Sequence, residues 1–80
     1  MSTHRLTLDE PASYSIRIQG VVGLDWTDYL GGLQISLAQQ EPPVTLLRGK
    51  VLDQAALIGI INGLYDLGFP LLSVELEREA

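Results

Sequence analysis

The side chains able to do chemistry in this chain of 80 residues are few and of a narrow kind: ten Asp and Glu, five Lys and Arg, three Tyr, one His and no Cys. Without cysteine there is no disulfide, no thiolate nucleophile and no zinc ribbon, and one histidine cannot build a His-rich metal site. His4 stands in the N-terminal stretch, away from every Ser that could act as a nucleophile, so no Ser-His-Asp arrangement is visible. The densest group is Asp25-Trp26-Thr27-Asp28-Tyr29, which gathers the only Trp, a Tyr and two carboxylates between Gly23 and Gly31-Gly32. That composition fits the rim of a small-ligand site; it also fits a plug over the open end of a small core. Calcium takes roughly six to eight oxygens, more than two carboxylates in one turn supply, so no metal is predicted. None of the glycines at 20, 23, 31 and 32 sits where a phosphate-binding fingerprint needs it, between a strand and a long helix, and no cofactor is predicted. Arg17, Arg48 and Lys50 could converge as an anion site, but Glu75 and Glu77 would share their sheet face and explain the same residues as cross-strand ion pairs. No residue is assigned a catalytic role.

The elements that must position these groups follow from periodicity. Tyr14, Ile16, Ile18 and Val22 alternate with Ser15, Arg17 and Gln19, the pattern of a half-buried strand. Trp26, Tyr29 and Leu30, at i, i+3 and i+4, predict one helical turn with Asp25 as its N-cap. A second strand runs through Leu33, Ile35 and Leu37, and Pro42-Pro43 forces a turn. The third strand, Val44 to Leu52, has apolar residues on both parities, which requires burial on both faces or a bulge near Leu46-Leu47. A helix over about 54–67 is bracketed by signals: Asp53 as N-cap, Leu52 as a staple onto Leu57, Gly68 at the left-handed C′ position and Pro70 beyond it. Residues 71–77 alternate again, with Leu72, Val74 and Leu76 inward.

The predicted fold is therefore α+β: a two-layer domain with a mixed four-stranded sheet, order β-β-β-α-β along the chain, and one helix packed on one face. Residues 1–12 form a flexible N-terminal arm and residues 13–80 the single domain. Strands one to three are expected to meander, and the crossover through the helix to place strands three and four in parallel. This gives spatial order 1-2-3-4, with 4-1-2-3 as the alternative. The uncovered sheet face would carry Arg17, Gln19, Gln34, Ser36, Ser73, Glu75 and Glu77.

Charge and hydropathy limit the partners. A net charge of −5 and a pI near 4.5 oppose binding to a phosphate backbone, so no nucleic acid is expected. The most apolar window, 51–74, is interrupted by Asp53, Asn62, Asp66, Gly68 and Pro70, and the N-terminus lacks an export signal, which predicts no membrane contact and a cytoplasmic location.

The string Asp53-Gln54-Ala55-Ala56-Leu57-Ile58-Gly59, followed by Leu64, Asp66-Leu67-Gly68 and Pro70 to Val74, carries the pattern DQAALxGxxxxLxDLGxPLLSV. With Ile16–Val22, Trp26 to Gly32 and Leu47-Arg48-Gly49 before it, the chain resembles, over about residues 14–76, a family of short uncharacterised bacterial proteins. The resemblance implies no established activity. It does mark a departure: Ile58, Gly63 and Tyr65 stand where that family places polar or basic residues on the helix.

On a helical wheel Leu57, Ile60, Ile61, Leu64 and Leu67 face the sheet. Ile58 and Tyr65 widen the apolar arc beyond that need, the helix has no Lys or Arg, and Ala55, Gly59 and Gly63 recur every four residues as a shallow groove. The stripe either eases packing within the chain or admits another subunit's backbone. The candidate interface or ligand surface is thus Trp26, Tyr29, Ile58, Gly59, Gly63 and Tyr65. The predicted function is a non-catalytic, self-associating interaction or regulatory module, a homodimer by preference, with a further protein as a candidate partner. The alternative is a small enzyme or ligand-binding protein with its pocket at the subunit interface, a reading that rests on fold analogy.

Overall fold

The computed structural model describes residues 5–23, 26 and 30–77. The elements are β1 (Ala12–Gln19), β2 (Gln34–Ala38), β3 (Val44–Val51), α1 (Gln54–Asp66) and β4 (Leu71–Glu77). They form an α+β fold, one four-stranded sheet with α1 packed against it.

The strand order is β2-β3-β1-β4, and every pairing is antiparallel. This corrects both expected orders. β1 and β2 do not pair, because the fourteen residues 20–33 between them are too long for a hairpin and carry Val22, Leu30 and Leu33 into the core. β3 and β4 run in the same direction, as the helical crossover demands, but β1 lies between them, so they do not touch. Of the expected pairings, the antiparallel β2–β3 pair and, from the alternative order, β4 beside β1 are observed. The result is a split β-α-β sheet, in which residues 20–33 take the place of a first crossover helix.

Two local expectations also change. β3 pairs with β1 without interruption from Ala12↔Val51 to Gln19↔Val44, so there is no bulge at Leu46-Leu47; the register shift lies instead between β1 and β4, at Arg17/Ile18. That shift brings Leu71 rather than Leu72 opposite Ile18, and Leu72 is exposed. The staple does not form either: Leu52 is 77% exposed, and the first helical amide, that of Gln54, donates to the Leu8 carbonyl at 2.9 Å.

The caps of α1 follow their sequence signals. Asp53 is extended and its Oδ1 accepts from the Ala56 amide at 2.8 Å. At the other end Gly68 (φ +90) donates to the Tyr65 carbonyl and Phe69 to that of Leu64, the paired bonds of a Schellman motif.

The core holds Tyr14, Ile16 and Ile18 of β1, Leu47 and Val51 of β3, Leu57, Ile60 and Leu64 of α1, and Val22, Leu30 and Leu33 of the crossover segment. Leu33 passes so close to the sheet that a Cβ at Gly49 would lie 2.9 Å from its Cδ2, which is why β3 carries a glycine there.

Candidate functional site

The open face of the sheet is largely polar and carries an ion pair. The register puts Ser13, Ser15 and Arg17 of β1, Arg48 and Lys50 of β3 and Ser73, Glu75 and Glu77 of β4 on the side away from the core. Arg48 donates from Nε and Nη2 to the two carboxylate oxygens of Glu77 at 2.9 and 2.7 Å, a bidentate fork. That hydrogen bonding holds the Glu77 carboxyl below its ordinary pKa against an opposing effect of desolvation, with the guanidinium charge a lesser aid, and the same contact raises Arg48. Arg48 is therefore committed to Glu77.

Of the six candidate surface residues, five are among those the structure describes. Trp26 sits in a short 3₁₀ turn, 38% exposed, its amide donating to the Gly23 carbonyl and its carbonyl accepting from the Leu30 amide. Tyr29 lies outside the described residues, as do Asp25 and Asp28. Leu30, four residues on, is fully buried in the core. On α1, at 100° per residue, the remaining four divide between two flanks. Gly59 and Gly63, with Ala56 and Ile60, line a cleft of about 350 Å³ closed on its far side by Leu30 and Gly31. Ile58 (55% exposed) and Tyr65 (78% exposed) sit seven positions apart on the other flank, facing solvent.

Gly59 separates the two explanations of the small-residue stripe. A Cβ built on it meets nothing within 4 Å. Packing inside the chain therefore does not require a glycine at 59, although one in a helix interior costs about 1 kcal/mol against alanine.

A second cleft, of about 430 Å³, is lined by Val21, Val22, Gly23, Ile35, Ser36 and Leu37, beside the outer edge of β2. Neither cleft has a titratable side chain among its lining residues. Tyr14 is buried, its hydroxyl accepting from Gln54 Nε2 at 3.4 Å.

Sequence reasoning missed Thr45. It is fully buried, its hydroxyl donating to the Gly20 carbonyl at 2.7 Å and accepting from the Val22 amide at 3.2 Å. The available signal was a lone hydroxyl in the apolar run Val44 to Leu47.

No helix among the described residues is long and apolar enough to cross a membrane. Among known proteins, residues 13–75 match a family described as a domain of unknown function, DUF8691. No curated protein and no solved structure is significantly similar to the chain.

Proposed function

Since the chain belongs to that family of unknown function, we propose from its surfaces that it works by binding: a non-catalytic, self-associating interaction or regulatory module of a bacterial cytoplasm. Residues 13–80 are the associating unit and residues 1–12 its arm. The outer face of α1 is the surface offered to partners, second copies included. The observation that carries the reading is the composition of that face. Ile58 and Tyr65 stand exposed on one flank, Gly59 on the other is open for no internal reason, and the helix has no basic residue in its last turn and no acidic one in its first. Solvent-facing helix surfaces are normally charged, and contiguous apolar ones mark contacts.

Sedimentation velocity tests this over a concentration series. The wild type is expected to shift from 8.7 kDa towards a dimer, and Ile58→Glu to raise the midpoint concentration at least tenfold with an unchanged circular dichroism spectrum. A wild type that remains an 8.7 kDa monomer at millimolar concentration refutes self-association.

A further inference from the structure

We propose that two copies of this chain join edge to edge along β2, about a two-fold axis through Ser36, to make one continuous eight-stranded antiparallel sheet. The inference goes beyond the helix-face contact proposed above: it is a second, separate contact between copies, and it rests on that self-association only in taking a second copy as the occupant.

The sheet has two open edges, β2 and β4. A copy carrying a net charge of −5 meets another copy most easily where neither presents acid. β4 carries Glu75 and Glu77. β2, Gln34-Ile35-Ser36-Leu37-Ala38, has no charged residue, no proline and no bulge against β3. Charged residues, prolines and bulges are among the devices by which natural edge strands avoid pairing.

The edge is also complementary to itself. With Ser36 on the axis, Ile35 falls opposite the partner subunit's Leu37, and Gln34 opposite the partner subunit's Ala38. Ile35 and Leu37 lie on the side of β3 residues Leu47 and Thr45, the core side, so apolar meets apolar there, while Gln34 and Ser36 share the polar face. Leu37 is 44% exposed in the single chain. Across the axis it faces the partner's cleft beside Ile35, whose other wall is Val21 to Gly23. One operation thus satisfies the unpaired backbone of β2, covers Leu37 and fills the cleft, and the α1 flank with Ile58 and Tyr65 remains outward on both copies. The edge is small against the roughly 800 Å² per partner of a standard interface, so the pair dissociates on dilution.

The absence of native cysteine permits a direct test. In an antiparallel pair, opposed Cα atoms stand about 4.5 or 5.5 Å apart, inside the roughly 4.4–6.8 Å range of a disulfide. Ser36→Cys is therefore expected to oxidise to a covalent dimer at least tenfold faster than Gln34→Cys, whose two copies would be about 14 Å apart along the strands. Leu37→Lys is expected to abolish the rapid cross-linking of Ser36→Cys. If it does not fold, the pair of cysteine variants decides alone. Cross-linking of Ser36→Cys no faster than of Gln34→Cys overturns the β2 assignment. If the wild type still dimerises in that case, self-association through the helix face stands and only the β2 contact falls. Rapid cross-linking that persists in the Ser36→Cys, Ile58→Glu double variant supports β2 as the two-fold contact independently of the helix face.

Discussion

Thr45→Val is the sharpest perturbation of the fold. Valine has nearly the shape of threonine, so the substitution leaves volume and strand propensity in place and removes only the hydroxyl. That hydroxyl holds the exit of β1: it donates to the Gly20 carbonyl at 2.7 Å and accepts from the Val22 amide at 3.2 Å, in a residue with no exposed surface. The Gly20 amide already donates to the Pro43 carbonyl, which fixes the segment in place and limits how far it can turn to find water. A buried polar group left without its partner costs about 1–3 kcal/mol, and two are stranded here. Allowing some relaxation, the loss is about 2–4 kcal/mol, against a total of roughly 4–12 kcal/mol for a domain of this length. Thr45→Ser supplies the control, since it keeps both hydrogen bonds and loses one buried methyl, about 1 kcal/mol. Urea unfolding followed by circular dichroism and Trp26 fluorescence reads the difference, at constant slope. A Thr45→Val variant as stable as the wild type, or a Thr45→Ser variant less stable than Thr45→Val, would refute the reasoning.

Three further outcomes are expected. Gly59→Ala, with open space around its Cβ, gains about 1 kcal/mol of helix propensity and raises the melting midpoint by about 4–8 °C; a lower midpoint means the site is packed after all. Asp53→Ala removes the hydrogen bond to the Ala56 amide and lowers stability by about 0.5–2 kcal/mol, measurable in the same urea titration. The Glu77 carboxyl titrates below its ordinary value because Arg48 hydrogen-bonds its ionised form, so the pair's stabilisation is present above the unfolded-state pKa and is lost as pH falls through the lower folded one. NMR titration of Glu77 should return to the ordinary range in Arg48→Gln and move towards it in 1 M salt, where screening acts within about 3 Å.

The parts of this fold legible in the sequence are those decided by neighbours in the chain. Asp53 and Gly68 cap α1 as expected because a cap is a contact between residues three to five apart, and the alternation of Ile16 with Arg17 or of Val74 with Glu75 names a face without reference to a partner. Strand order is different, since nothing in Tyr14 to Ile18 says whether β2 or β3 will lie alongside. The informative feature was the length of 20–33 together with its buried Leu30 and Leu33, which fits a crossover and not a turn. Leu52 was read as a staple because Leu57 stands at the right spacing, yet the helix start is closed by the distant Leu8 carbonyl. The surface residues were legible as exposed apolar groups, but their division between two helix flanks depends on which side of α1 the crossover covers. The uncharged run of β2 was visible throughout, and acquires meaning only once β2 is known to be an edge.

The central position of β1 also sets the order of events in folding. Its ladders join Ala12 to Val51 and Ser13 to Glu77, so the strand that anchors the sheet has no partner close by in the chain. Only the β2–β3 hairpin and α1 can form from local contacts; β1 must wait for both, and the sheet closes when β4 arrives. Loop-closure entropy spent before any long-range pair is gained makes such chains slow to fold for their size. During synthesis from the ribosome, β1 emerges first and is satisfied last. Until residues 71–77 are available, the backbone edge that β4 will occupy beside Ile16 and Ile18 stays open to any other strand, and the nascent chain is at its most vulnerable to misassembly.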